Sequence, residues 1–253
     1  MLRVSIITIV YNNRTTFEDC VKNVLSQTYP EIEYIVVDGG SNDGTVDILQ
    51  AYQKGISQWI SEPDQGVYDA MNKGIRMATG EVVGFLHSSD LYAHSRVIEE
   101  VARIFENSNV KSAYGDLQYV DKRDLSRVIR HWKSSPYRHG QFRQGWMPPH
   151  PTFFVRKKIY EKYGYFNPNF RIAGDYELML RFLERYRISA TYIPEVLVKM
   201  RWGGISNGSI KNILIKSYED YRAWGMNDLN GGVHTILFKN LCKIPQFWAK
   251  TVS

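Results

Sequence analysis

The sequence is poor in cysteine, has no long apolar run and carries neither of the common glycine-rich phosphate loops. Cys20 and Cys242 are the two cysteines in 253 residues, too few for a disulfide framework and without metal-ligand spacing. They fit a reducing, cytoplasmic compartment. Unbroken apolar stretches run to a handful of residues, against the ~20 that a membrane-spanning helix needs. Met1-Leu2-Arg3 leads into a β-branched run with no small-residue cleavage site, so no secretory signal is expected. G-x-x-x-x-G-K-[ST] is absent, and Gly39-Gly40 followed by Gly44 does not fit G-x-G-x-x-G. Phosphates would therefore need cations, from a metal or from basic side chains. No internal repeat or low-complexity tract occurs.

What is present is enough to fold. Hydrophobic residues make up 43% of the chain, which excludes disorder as the main state. The length suits one large unit or one with a small addition, and no linker interrupts it. A net charge of +6 favours anionic partners such as phosphate-bearing ligands or acidic lipid headgroups. Nucleic acid is not expected, because the basic residues are scattered and no helical or zinc motif accompanies them.

The first half alternates short β-branched runs with helical periodicity. Val4 to Val10, Ile32 to Val37, Ile56 to Ile60 and Val82 to Leu86 read as strands. Phe17, Cys20, Val21, Val24 and Leu25 mark one helical face, and Val67, Ala70, Met71, Gly74, Ile75 and Ala78 another. Asp43 is placed to cap a helix beginning near Thr45. Strands alternating with helices predict an α/β fold with a mostly parallel, Rossmann-like sheet flanked by helices. Beyond residue 110 the rhythm loosens: Ala113 to Val120, Phe153 to Val155, Ile188 to Ile193 and Val196 to Met200 read as strands. Helices are expected over 156–163, 175–186 and 209–224, and loops with short pieces over 121–150.

In an open parallel sheet, ligands bind beyond the carboxyl ends of the strands. Tyr11-Asn12-Asn13, Asp38-Gly39-Gly40-Ser41, Asp64-Gln65-Gly66 and His87-Ser88-Ser89-Asp90 all fall at such ends. Any one of them is ordinary turn chemistry; together they build a polar cleft. An acid ending the second strand suits a base edge or ribose hydroxyl better than a phosphate.

These segments carry a resemblance. Ser5 to Asn12, Ser26-Gln27-Thr28-Tyr29, Tyr34 through Thr45, Ser61 to Gly74 and Thr79-Gly80-Glu81 are similar to the opening of the family 2 glycosyltransferases with the GT-A fold. The similarity is dense over residues 3 to 92 and thinner over 145–205. It is nearest to bacterial enzymes of exopolysaccharide, O-antigen and colanic-acid type assembly. The resemblance implies a nucleotide-sugar donor, with Thr8 and Tyr11 flanking the base, Asp38 bonding base or ribose, and Asp64 and Asn72 in the next donor-side motif. The family's acidic metal motif falls on Ser88-Ser89-Asp90, where Ser89 replaces one of two adjacent acids. A lone carboxylate offsets less of an ion's dehydration, so Asp90 is carried as a ligand for a weakly held Mg²⁺ or Mn²⁺. Without the ion, Lys73 or Arg76 would have to stand in.

On the acceptor side the resemblance makes Asp175, in Ala173-Gly174-Asp175-Tyr176-Glu177-Leu178, the base; a helix cap is its structural alternative. Glu177 is expected on the surface. His150, in Met147-Pro148-Pro149-His150, is an acceptor-side candidate, although a lone histidine is more often structural. Trp146 and Trp202 could stack on sugar rings or pack the core. Trp202-Gly203-Gly204-Ile205-Ser206 could supply a lid. One base and one leaving group imply inversion at the anomeric carbon.

The expected organisation is a GT-A domain over 1–205, with a nucleotide-sugar half (1–110) and an acceptor half (111–205), then a helical extension over 206–253. In that extension Ile236, Leu237, Leu241, Ile244, Phe247 and Trp248 alternate with Lys239, Lys243 and Lys250, a basic amphipathic pattern. It suits peripheral contact with the inner face of the cell membrane, where lipid-linked acceptors reside, and equally packing on the body or a homodimer. The reading is an inverting transferase moving sugar to a glycan or lipid-linked hydroxyl. Ser89 motivates the alternative of a non-catalytic nucleotide-sugar-binding or scaffold subunit.

Overall fold

The computed structural model describes residues 1–203, 210–231, 235, 236 and 239. Gly204 to Ser206 of the expected lid lie outside the described residues, as do 206–209, 232–234, 237–238 and 240–253 of the expected extension.

A central strand is covered on both faces, which is why its sequence is continuously apolar. β1 (Val4–Val10) is such a strand, buried along its whole length. β2 (Ile32–Asp38) and β4 (Val82–Phe85) pair with it on either side, and β3 (Gln58–Ser61) pairs with β2, all in parallel. Parallel strands point their carboxyl ends the same way, so the four polar loops that follow them share one edge of the sheet.

Beyond β4 the sheet changes character. β8 (Phe154–Arg156) runs antiparallel to β4, followed by β6 (Ser112–Val120), β9 (Ala190–Arg201) and β5 (Asp90–Tyr92), while β7 (Val128–Trp132) forms a hairpin on β6. β9 is one strand where two were expected; its register against β6 shifts between Tyr114 and Asp116, which interrupts the alternation. β7 arises within 121–150, which reads as loop, and β5 with α4 (Val97–Phe105) fills a stretch to which the sequence assigned no element.

The period-2 alternation of the strands splits the core in two. Ile7, Ile9, Ile35, Val37, Val83 and Phe85 pack with Met71 and Ile75 of α3 (Val67–Met77). α5 (Lys157–Tyr163), α6 (Gly174–Leu180) and the end of α7 (Ile210–Met226) join that layer through Tyr160, Tyr176 and Trp224. Val4, Ile6, Val10, Tyr34, Val36 and Leu86 pack on the other side with α1 (Arg14–Leu25), α2 (Thr45–Tyr52) and α4. α6 continues into a π-turn over Arg181–Arg185. The Asp43 carboxylate does serve the start of α2, accepting Thr45 N at 3.0 Å and Arg14 N at 3.0 Å.

Two expectations about charged residues are corrected. Glu177 is buried, 4% exposed, because Arg181 forks onto it at 2.9 and 3.0 Å and Asn227 donates at 3.1 Å. Lys239, expected on a basic amphipathic face, is buried against Asp220 at 2.7 Å, its ammonium 3.5 Å from the centre of the Tyr176 ring. No helix among the described residues is long and apolar enough to cross a membrane.

At the opposite end of the sheet, Glu33 ties the start of β4 to β1–β3. Its carboxylate accepts Ser5 Oγ at 2.6 Å, Gln58 Nε2 at 3.2 Å, Thr79 N and Oγ1 at 2.8 and 2.7 Å, and Gly80 N at 3.1 Å. Burial alone would raise its pKa, but the bonds from Ser5, Thr79 and Gly80 outweigh it and hold the carboxyl below its ordinary value. Such a group stabilises above the unfolded carboxylate pKa, and the contribution fades as pH falls through the folded value. Glu33→Ala should therefore cost on the order of 3 kcal/mol at pH 7, a difference that narrows toward pH 3; urea unfolding at both pH values checks it.

Candidate active site

The cleft starts where β1 and β2 end. Asn12 sits in the left-handed region at φ 46°, a conformation asparagine tolerates. Its backbone N–H donates to Ser41 Oγ at 2.7 Å and its Oδ1 accepts Asn42 N at 2.9 Å, locking two loops together. Tyr11 is 64% exposed. A Cβ added at Gly39 would lie 2.5 Å from Asp64 Oδ2 and 3.3 Å from the Tyr11 ring, so these three residues meet at one place. Asp64 accepts Gly66 N through Oδ1 at 2.8 Å. The arrangement offers an open aromatic face beside a carboxylate oxygen, a seat that suits a planar base.

Three donor-side expectations are corrected. Thr8 is fully buried, accepting Tyr34 Oη at 3.2 Å and lying 3.8 Å from Cys20 Sγ. Strand parity puts it on the α1 face, away from the cleft. Asp38 is also fully buried: its Oδ2 accepts Gly40 N at 3.1 Å, Ser41 N at 2.9 Å and Ser61 Oγ at 2.7 Å, and its Oδ1 accepts Ser41 Oγ. It shapes the 39–41 loop and presents no exposed atom to a ribose. Asn72 is 4% exposed and exchanges two hydrogen bonds with the backbone of Phe166, at 2.8 and 2.9 Å, fastening α3 to the acceptor half.

The β4 end carries the next group. Asn13 Nδ2 donates to Ser88 Oγ at 2.9 Å and Ser89 Oγ at 3.1 Å, its amide orientation fixed by Thr16 Oγ1 on Oδ1 at 2.9 Å. Asp90 begins β5 and is 1% exposed, its Oδ2 without a partner among the described residues. Burial pushes its carboxyl up to about 8, with Arg201 pulling the other way.

These residues do not fit a divalent ion. Mg²⁺ and Mn²⁺ want several accessible oxygen ligands, whereas the one carboxyl is enclosed beside a guanidinium and an amide N–H is aimed at both serine hydroxyls. Asp90 as a metal ligand is corrected on that ground. A different set, His94, Glu100 and Glu195, brings three potential ligand atoms within 4.8 Å of one another on other elements, the start of α4 and the middle of β9. Lys73 donates to Pro63 O at 3.0 Å and pairs with Glu62 at 2.7 Å, and Arg76 lies over the Tyr165 ring. Both cations hold loops.

Asp175 stands opposite. Ala173 occupies the cap position of α6 and no side chain caps it, so the capping alternative for Asp175 does not apply; Asp175 lies inside the first turn and is half-buried. The helix start is held from outside. Glu219 of α7 accepts Arg171 N at 2.7 Å, Ile172 N at 2.9 Å and Ala173 N at 2.8 Å, while Tyr68 Oη donates to Ile172 O at 2.7 Å. A Cβ at Gly174 would meet the Tyr68 ring at 2.7 Å, so only glycine fits there. Asp175 acts electrostatically on both His87 and His150. Burial and His150 push the His87 pKa down to about 4, and burial lowers that of His150; Asp175 opposes both shifts. His150 is 5% exposed, packed between Phe85, Phe166 and the His87 ring at 5.7–6.0 Å. Neutral imidazoles thus lie within electrostatic reach of a half-buried carboxylate.

Trp146 packs with Tyr114, Tyr137 and Phe142, ring centres 5.4–5.8 Å away, which is core use. Trp202 meets the Tyr119 ring edge-on at 5.5 Å. The sequence placed Ser89 and Asp90 on the donor side but gave His87 and Asn13 no role, and it gave no signal for Arg201 or Glu219, whose partners are at least 112 and 46 residues distant.

Residues 5–164 match the profile of Glycosyl transferase family 2. An uncharacterized glycosyltransferase of Mycobacterium tuberculosis is 37% identical over 180 residues, 70% of this chain and 68% of the relative. A PGL/p-HBAD biosynthesis glycosyltransferase of Mycobacterium bovis is 27% identical over 224 residues, 84% of this chain and 82% of the relative. Among solved structures, S. aureus TarS 1-349 in complex with UDP-GlcNAc superposes with a TM-score of 0.70 at 16% identity, covering 89% of this chain and 65% of that one. The mannosyltransferase PcManGT of Pyrobaculum calidifontis, in complex with GDP-Man and Mn2+, gives 0.67 at 18% identity, covering 98% and 73%. This chain spans 41% of the longer TarS chain. The likeness establishes a GT-A fold.

A carboxyl whose pKa is raised on folding favours the protonated native state, so its ionisation opposes folding. Stability should decline as pH rises from about 4, the unfolded value, to about 8, and then level off. Asp90→Asn keeps the shape without the charge. It should remove that decline and exceed wild type by at least about 1 kcal/mol at pH 8, measured by denaturant unfolding; parallel pH curves would show that Asp90 does not titrate as stated.

Proposed function

The chain belongs to glycosyl transferase family 2, and on that premise we propose that it is an inverting glycosyltransferase. It moves a sugar from a nucleoside diphosphate sugar to a hydroxyl of a glycan or lipid-linked saccharide in cell-surface polysaccharide assembly. The observation that carries this reading is Asp175, a half-exposed carboxylate outside the cap position, on a helix start clamped by Glu219 and Tyr68, within electrostatic reach of His87 at the end of β4.

The division of labour follows from position. Tyr11, Gly39 and Asp64 seat the base, and the Ser88-Ser89 turn faces the diphosphate. Asp175 takes the proton from the acceptor hydroxyl as its oxygen attacks the anomeric carbon, while the nucleoside diphosphate leaves from the opposite side. No covalent sugar–enzyme intermediate is needed. His150 and the aromatic Phe85 and Phe166 around it exclude water from that side of the cleft.

A lipid-linked acceptor and a seat on the inner membrane face are supported by the basic balance of the chain and by α7. There Leu214, Tyr218 and Tyr221 are 66%, 67% and 50% exposed, with Lys211 and Arg222 also exposed on the helix.

Asp175→Asn should lower transfer at least about 10³-fold while donor affinity and melting temperature stay near wild type, read with labelled donor, calorimetry and thermal unfolding. An inert wild type that still binds donor would favour the non-catalytic subunit that Ser89 suggests. A variant with undiminished transfer would remove Asp175 from the reaction.

A further inference from the structure

The Ser88-Ser89 turn lies over a buried guanidinium. Arg201, the last residue of β9, has a side chain 5% exposed. Its Nη1 donates to Ser89 O at 2.9 Å, its Nη2 donates to Asp19 Oδ2 of α1 at 2.6 Å, and its Nε has no partner among the described residues. Asp19 itself is 56% exposed, so solvent weakens its hold on the charge. The guanidinium's fork spans the turn and the first helix at once, which a flexible ammonium could not reproduce.

Above this cation the turn offers protons. Ser88 Oγ and Ser89 Oγ each accept an N–H from Asn13, with Thr16 Oγ1 3.2 Å from Ser89 Oγ, and each serine hydroxyl carries one proton of its own. Hydroxyl donors match the oxygens of a phosphate, and the guanidinium beneath them favours an anion over a dication. The cations on α3 that could have served, Lys73 and Arg76, are occupied by Glu62 and Pro63 and by Tyr165.

We propose that Ser88, Ser89 and Arg201 together take the place of a divalent ion in this chain: the two hydroxyls bind the donor's diphosphate, and Arg201 positions their turn and supplies positive charge from beneath. The inference rests on the nucleoside diphosphate sugar reading above. It gives β9 a second role, because a strand of the acceptor half carries at its end the residue that holds the donor-side turn.

Calorimetric titration of the full chain with UDP and with GDP, in EDTA and in MnCl2, tests it. One nucleotide should bind in EDTA with an affinity within about threefold of that in Mn²⁺, and Ser89→Ala should weaken it by about tenfold or more. Arg201→Met should do the same, with Arg201→Lys recovering part of the loss because charge returns without the fork. Should Arg201→Met lack a cooperative thermal transition, the Ser88→Ala/Ser89→Ala double variant decides in its stead. Binding that disappears in EDTA and returns with Mn²⁺ overturns this inference and leaves the donor reading standing, as do folded variants of unchanged affinity. Failure of both nucleotides in both buffers overturns the donor reading together with it.

Discussion

Backbone N–H groups at the ends of parallel strands have no strand to pair with, and in this protein four carboxylates, three of them buried, satisfy many such groups. Asp38 gathers Gly40 N and Ser41 N, Asp43 takes Arg14 N and Thr45 N, Glu33 takes Thr79 N and Gly80 N, and Glu219 takes three successive N–H groups before α6. A buried amide without a partner costs on the order of 1–3 kcal/mol, so each acid fixes a loop that would otherwise seek water. The loops around the cleft depend on Asp38, Asp43 and Glu219, and the opposite end of the sheet depends on Glu33.

That dependence separates acids that build from acids with an oxygen left over. Asp38 spends its oxygens on backbone and serine hydroxyls and Glu219 on backbone, and both are buried. Asp64 keeps Oδ2 beside Gly39, and Asp175 is half-open to solvent at the mouth of α6. Asp90 belongs to neither class: buried, without a partner at one oxygen among the described residues and raised in pKa to about 8, it sits beneath a turn that presents hydroxyls and an amide. Glu219 also makes α7 part of the site, since the segment before Gly174 is held by a residue 46 positions away. The Lys239–Asp220 pair against Tyr176 adds a second brace to the same helix.

The parallel half of the fold was legible because both of its signals are local. Val4 to Val10 is apolar throughout and ends at a turn, and the α3 pattern repeats at helical spacing. The α4 pattern of Val97, Ile98, Val101, Ala102 and Phe105 is equally regular in the sequence. β9 was hidden by Pro194 and Glu195 and by the register shift, which break alternation without ending the strand. The site was legible as loops but not as roles. Thr8 and Asp38 look like ligands until strand parity and burial are known, and Asn72 resembles a donor contact until Phe166 appears across 94 residues. Arg201 could not be read at all, because its importance comes from Ser89 and Asp19, far away in sequence.

The central claim is that a donor sugar bound over the Ser88-Ser89 turn faces Asp175. A crystal structure of the chain with a bound nucleoside diphosphate sugar tests it most directly. The account predicts the base against Tyr11 and Asp64, the diphosphate at Ser88 and Ser89, and the anomeric carbon turned toward Asp175 with room for one hydroxyl between them. A sugar directed away from Asp175, or a nucleotide seated on another face of the sheet, would contradict it.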